Sequence, residues 1–202
     1  MKPLIHPAFA LAFGLLTASL AQAGPPPRVY IPTTGERAEV LIIDAATQQM
    51  IGRLGGLPAA HGLAVTPNGS RLVVGSFEER APDAAMPDKS AGVSAADHAA
   101  HHGAGPKAET PDAISTVSIV DAATQAILRR IDVPGAVHHV AVSPDGRIAV
   151  VTQPGTDSIT AIDRGATPFW RRSGLARCRT TRRIATGASP EHLVLAPDGQ
   201  GL

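Results

Sequence analysis

The chain has 202 residues and nearly balanced charge, 18 basic against 17 acidic side chains. Its length suits one domain or slightly more, and its single cysteine, Cys178, excludes an internal disulfide framework. Seven arginines crowd between Arg164 and Arg183; the rest of the chain holds 11 basic and 17 acidic residues. A broad nucleic-acid surface is therefore excluded outside that stretch.

Residues 1–23 read as a secretory signal peptide. Lys2 supplies a positive start, Ala8 to Leu20 an uncharged apolar run, and Ala21-Gln22-Ala23 a small-x-small cleavage pattern. The competing reading, a membrane helix, needs roughly 20 consecutive apolar residues, more than this run offers. Cleavage after Ala23 and a periplasmic or secreted protein are expected, with no transmembrane segment left in the mature chain.

A first strand unit occupies residues 24–77. Val40-Leu41-Ile42-Ile43 is a continuous apolar run, as in strands buried on both faces. Asp44 to Thr47 reads as a tight turn whose Asp and Thr oxygens bond nearby backbone amides. Met50 to Leu54 would be the return strand, Leu63-Ala64-Val65 a third, and Leu72-Val73-Val74 a fourth. Pro67-Asn68-Gly69 between the last two suits a type I turn closing into a bulge.

The same phrase returns in residues 114–163. Val40-Leu41-Ile42-Ile43-Asp44-Ala45-Ala46-Thr47-Gln48 is answered by Val117-Ser118-Ile119-Val120-Asp121-Ala122-Ala123-Thr124-Gln125, and Pro67-Asn68-Gly69 by Pro144-Asp145-Gly146. Asp44 precedes Pro67 by 23 positions, and Asp121 precedes Pro144 by the same 23. Equal internal spacing marks one supersecondary unit copied along the chain. A damaged third copy begins at Ile159-Thr160-Ala161-Ile162-Asp163 and returns at Pro197-Asp198-Gly199, leaving residues 184–202 as a partial unit.

Four short strands in about 40 residues, joined by tight turns, describe a propeller blade. The predicted fold class is all-β, with blades of four antiparallel strands, incomplete at about two and a half blades. The residues resemble the YVTN-type β-propeller repeat of secreted bacterial proteins, whose blades carry a V-x-V-I-D-x-x-T strand and turn. Ala60-His61-Gly62-Leu63-Ala64-Val65-Thr66-Pro67-Asn68-Gly69 is similar to that family's P-H-G-V-A-V-S-P-D-G strand, and Val29-Tyr30-Ile31-Pro32-Thr33 to its V-Y-V-T-N segment. The resemblance covers residues 28–77 and 114–162, with a remnant from Arg183 onward. Propellers usually need roughly four to eight blades, so closure is not expected from this length.

Two stretches interrupt the repeat. Residues 78–113 are rich in Ala, Pro, Gly, Asp and His, lack a sustained apolar period, and read as a surface insertion. Residues 164–183 push the third return strand out of step: Ile184 follows Asp163 by 21 positions, where Ile131 follows Asp121 by 10. Either a genuine insertion or a reading frame shifted and later restored accounts for it.

Within the insertion, Asp97, His98, His101 and His102 form the sharpest metal-ligand candidate. On a helix, His98 and His102 share a face, as do Asp97 and His101; imidazoles with a carboxylate suit divalent zinc or copper. Solvated loop histidines are the plain alternative. A second set, His61, His138 and His192, stands five or six residues before the three turn prolines. In the family that position lies near the channel mouth. The resemblance also reaches the amino-terminal propeller of nitrous oxide reductase, where inner histidines hold copper, and the haem propeller of cytochrome cd1-type nitrite reductase. An ordinary repeat histidine bonding backbone between blades is the plain alternative.

Nucleophilic and acid/base catalysis find little support. No G-x-S-x-G elbow, P-loop or dinucleotide fingerprint occurs, Cys178 lies in the disturbed stretch, and Glu78-Glu79 would point to opposite sides of a strand. The expected role is a non-catalytic binding module, meeting an unidentified protein or small ligand at the blade-end loops and needing no cofactor. The alternative is a metal-binding or redox-associated propeller subunit. Unpaired blade faces are expected to favour self-association.

Overall fold

A computed structural model describes residues 26–33, 39–84, 112–163 and 179–186. The strands are β1 (Arg28–Thr33), β2 (Glu39–Asp44), β3 (Met50–Leu54), β4 (Ala60–Val65), β5 (Arg71–Ser76) and β6 (Ile114–Asp121). They continue as β7 (Ile127–Pro134), β8 (Val140–Val142), β9 (Ile148–Gln153), β10 (Ser158–Asp163) and β11 (Arg179–Ala185). One 3-10 turn, Pro154–Thr156, joins β9 to β10. No α-helix occurs among the described residues, and none of their segments is a helix long and apolar enough to cross a membrane.

Among the described residues three antiparallel meanders follow one another: β1-β2-β3, then β4-β5-β6-β7, then β8-β9-β10-β11. The fold is all-β and resembles an incomplete propeller. The expected grouping of residues 40–74 into one sheet does not hold. Its first two strands, β2 and β3, pair with β1, while β4 and β5 pair onward with β6 and β7. A tandem repeat has no intrinsic phase in sequence; the sheet begins at the histidine-bearing strand rather than the aspartate-bearing one. β11 starts at Arg179, inside the arginine-rich stretch read as foreign to the repeat, and its Ile184 pairs with Ile159.

The copies agree to the level of single hydrogen-bond ladders. The pairing shifts by one residue between Ile42 and Ile43, between Ile119 and Val120, and between Ala161 and Ile162, the same repeat position each time. Such a bulge adds twist and turns the outer strand.

Two apolar layers fill the spaces between sheets. Val40, Leu54, Leu57, Ala60, Leu72, Val74 and Val120 lie between the first and second sheets. Val73, Val117, Ile119, Ile131, Val133, Val137, Ala149 and Val151 lie between the second and third. Alternation along β5 sends Leu72 and Val74 to one layer and Val73 to the other. The middle sheet is therefore buried on both faces, which is why Leu72 through Ser76 and Ser115 through Val120 are all buried. Each Val, Leu or Ile taken out of water there stabilises by about 1.5–3 kcal/mol. β2 belongs to an end sheet, and its Leu41 and Ile43 stay half-buried.

The sheets approach most closely at β4, which touches both β1 and β8. Strand direction then gives the stack two unlike ends. The Asp-x-x-Thr and Pro-x-Gly turns lie at one end. At the other lie His61, the segment joining β7 to β8, and the described flanks of the long insertion.

Candidate functional sites at the two ends of the stack

At the turn end, each repeat aspartate caps its own loop. Asp44 Oδ1 accepts the amides of Ala46 and Thr47 at 2.9 and 2.8 Å. Asp121 Oδ1 accepts those of Ala123 and Thr124 at 3.0 and 2.9 Å. Gln48 and Gln125 follow with φ of 58° and 61°, completing a type I turn with a left-handed closing residue. The backbone N–H of Thr47 and of Thr124 holds the respective carboxyl below its ordinary range, against a smaller opposing effect of burial. Arg28 and Arg71 add to the lowering electrostatically.

The Pro-x-Gly turns are equally well matched. Gly69 and Gly146 sit at φ of 69° and 65° and donate to Thr66 and Ser143 carbonyls at 2.8 and 2.7 Å. Thr66 Oγ1 accepts the Arg71 amide at 3.0 Å, and Ser143 Oγ that of Ile148 at 2.9 Å. The expected turn type holds in both copies.

Between the first two sheets these turns border a cleft of about 580 Å³, lined by Pro26, Arg28, Tyr30, Val65, Asn68 and Arg71 among others. Arg71 is paired with Asp121 at 2.7 Å. Arg28 stands opposite Asp44 in the β1–β2 register and donates to the Ala122 carbonyl at 3.4 Å. Its exposed guanidinium has five N–H donors in all, so it can also serve a ligand. Sequence reasoning missed this site. The available signal was an arginine opening β1 and β5 opposite each repeat aspartate, interrupted in the third unit, where Ile148 faces Asp163.

At the opposite end the structure brings together two of the predicted histidines and adds a third. The rings of His61 and His138 lie 4.9 Å apart, those of His138 and His139 4.5 Å, and Phe77 lies 5.7 Å from His61. His138 is buried, and His61 and His139 partly so. The segment carrying them is clamped between sheets. Val137 donates to the Ser76 carbonyl at 2.9 Å, His138 to the Thr152 carbonyl at 3.0 Å, and Thr152 back to the His139 carbonyl at 3.0 Å.

Two glycines permit this approach. A Cβ on Gly62 would stand 2.6 Å from the His138 carbonyl oxygen, and one on Gly75 would overlap the Val137 side chain. Beneath the cluster, Thr160 Oγ1 donates to Gln153 Oε1 at 2.7 Å, and Gln153 Nε2 donates to the Pro134 carbonyl, leaving this buried amide well satisfied.

The insertion leaves from the same end, and its base is fastened to the second sheet. Arg80 and Ile114 exchange backbone hydrogen bonds of 2.8 and 2.9 Å, the Arg80 guanidinium pairs with Asp132 at 2.6 Å, and Glu79 accepts the Ala136 amide at 2.8 Å. Asp97, His98, His101 and His102 lie outside the described residues, as do His192 and Cys178. Among the described residues, no group of three or more His, Cys, Asp or Glu is arranged to hold a metal ion. His61, His138 and His139 are thus neighbours through tilted and edge-on ring contacts rather than as a metal-binding group.

No family model matches the chain, and no curated protein matches it. Solved structures do. One is hydrazine synthase of Kuenenia stuttgartiensis, at a TM-score of 0.53 and 16% identity over 85% of this chain. The chain spans 50% of that chain's length. At such identity the likeness concerns the fold, which is propeller-like on both the topology and this comparison.

Proposed function

We propose that this is an exported, non-catalytic β-propeller-type binding module of the YVTN kind, taking an acidic small molecule or peptide at the turn-end cleft. The observation that carries the reading is the cleft itself. Its roughly 580 Å³ falls within the size range of small-molecule sites. It combines an apolar wall, Tyr30 and Val65, with an arginine at its rim. Stacked sheets fix that wall, while the turn residues around it can vary without disturbing the core, a common arrangement for recognition. Export is supported by the residues before Gly24.

The test is calorimetric titration of the purified chain with citrate and with a hexaglutamate peptide. Arg28→Gln is expected to weaken whichever probe binds by about tenfold, and Tyr30→Ala by a similar factor. Failure of both probes to bind at millimolar concentration ends this reading. Amino-terminal sequencing of the exported protein should begin at Gly24.

A metal-linked or redox-associated role is the second reading, supported by the imidazole and carboxylate ligands that Asp97, His98, His101 and His102 bring together in the sequence. Titration with Cu(II) or Zn(II) separates the two. Stoichiometric binding lost on replacing His98, His101 and His102 favours the second reading, and binding indifferent to them favours the first.

A further inference from the structure

Among the described residues, the outward face of the first sheet carries a solvent-exposed row of apolar side chains beside the Glu39–Arg53 ion pair. Val29 and Ile31 on β1 are 46% and 44% exposed. Register places Ile43 opposite Val29 and Met50, and Leu41 opposite Ile31, so five apolar side chains share this face. Contiguous exposed apolar surface of this kind marks an interaction site.

The repeat identifies what such a face receives. Counted from the arginine that opens each strand, Val29 and Ile31 occupy the positions of Leu72 and Val74 in the second sheet. Those two are 1% and 2% exposed, because the first sheet packs over them. Ile43 and Met50 correspond to Val120 and Ile127, which lie in the same covered layer. In the third sheet the equivalent Ala149, Val151 and Ile162 are covered by the second. The sheet-to-sheet interface is therefore built twice within the chain, and the first sheet presents one half of a further interface of the same design.

The covering half is equally well defined. Val40 and Leu54 supply it to the second sheet, with Ile42 buried on the same face of β2, and Val117, Ile119 and Ile131 supply it to the third. By the same register its next occurrence is Ile159, Ala161 and Ile184 on β10 and β11, all half-buried.

We infer that a second copy of the chain seats Ile159, Ala161 and Ile184 of its third sheet against Val29, Ile31, Leu41 and Ile43 of the first. The contact continues the established stacking from one chain into the next. Its two sides differ, so it is head-to-tail, and such contacts form closed rings only when the rotation completes a circle. The described residues of two copies bring six sheets, within the roughly four to eight that close a propeller.

Sedimentation velocity and native mass spectrometry of the full chain test this. The expected mass is about twice the 20.7 kDa of one chain. Ile31→Asp should give a monomer, and so should Ile159→Asp, with circular dichroism unchanged. An equimolar mixture of the two variants should regain a two-chain particle, because one intact junction remains between them. Should Ile159→Asp fail to fold, hydrogen exchange at Val29 to Ile31 in the unmodified chain replaces it, expected to slow as concentration rises. A single-chain mass at about 100 μM, a dimer that survives Ile31→Asp, an unmixed pair of folded variants, or exchange independent of concentration each overturns the inference. An unrelated partner on this face corresponds to the first of these results.

Discussion

The two ends of the stack achieve order by different means. At the turn end, the turns themselves are satisfied locally: Asp44 and Asp121 accept amides two and three residues on, and Gly69 and Gly146 donate to the carbonyl three residues before, with the Arg71–Asp121 pair added across strands. At the histidine end, order comes from contacts far apart in sequence. Val137 lies against Gly75, the His138 carbonyl lies over Gly62, and Glu79 caps the amide of Ala136. Local chemistry repeats because it depends only on neighbours. At the histidine end the long-range contacts differ from sheet to sheet, because each sheet meets different company there.

Substitutions can break this contrast in a definite order. Gly75→Ala should have the largest effect, about 3 kcal/mol of lost stability, because the new methyl overlaps Val137 in a segment pinned by backbone hydrogen bonds to Ser76 and Thr152. Urea denaturation would register it as a lower midpoint with an unchanged slope. A wild-type midpoint would mean that the histidine segment is less tightly held than described.

Next comes Asp121→Ala, which removes the turn acceptor and the partner of Arg71 together and should cost about 2 kcal/mol. Asp44→Ala, with a more exposed turn, should lower the melting temperature by less. The same two residues predict an acid limb. Their native carboxyls titrate below the ordinary range, so their stabilisation is complete above about pH 4 and fades as pH falls through the depressed native values. Unfolding free energy measured from pH 7 to pH 2 should fall less steeply in an Asp44→Asn, Asp121→Asn double variant. An identical slope would assign the acid sensitivity elsewhere.

The smallest effect expected is a gain. Gln125 holds φ of 61°, a left-handed conformation that costs a side chain about 1 kcal/mol. Gln125→Gly should recover about half of that after its own entropy cost, visible as a slightly higher melting temperature. Loss of stability instead would show that the Gln125 side chain contributes a contact worth more than the strain.

Much of the architecture was legible from residues alone. Apolar runs, the Asp-x-x-Thr phrase and the Pro-x-Gly turns located β2, β3, β5, β6, β7 and β9 closely, since each depends on short-range periodicity and turn chemistry. The phase of the repeat was not legible. A circularly repeating pattern reads equally well from any strand, and only hydrogen bonding between β5 and β6, across the 37 residues from Phe77 to Ala113, assigns them to one sheet. The candidate sites divide in the same way. His61 and His138 stood out through their repeated place before the turn proline. His139, Phe77 and the Arg28–Tyr30 cleft did not, because their neighbours are brought to them by stacking.

By itself, the sequence determined the strand-forming segments, the turn types and the existence of a repeated all-β unit, because these arise from interactions spanning a handful of residues. Tertiary structure decided which strands share a sheet, which apolar faces are covered, and which side chains from separate repeats meet. Those outcomes depend on the burial of one sheet by another, and that burial involves residues distant along the chain.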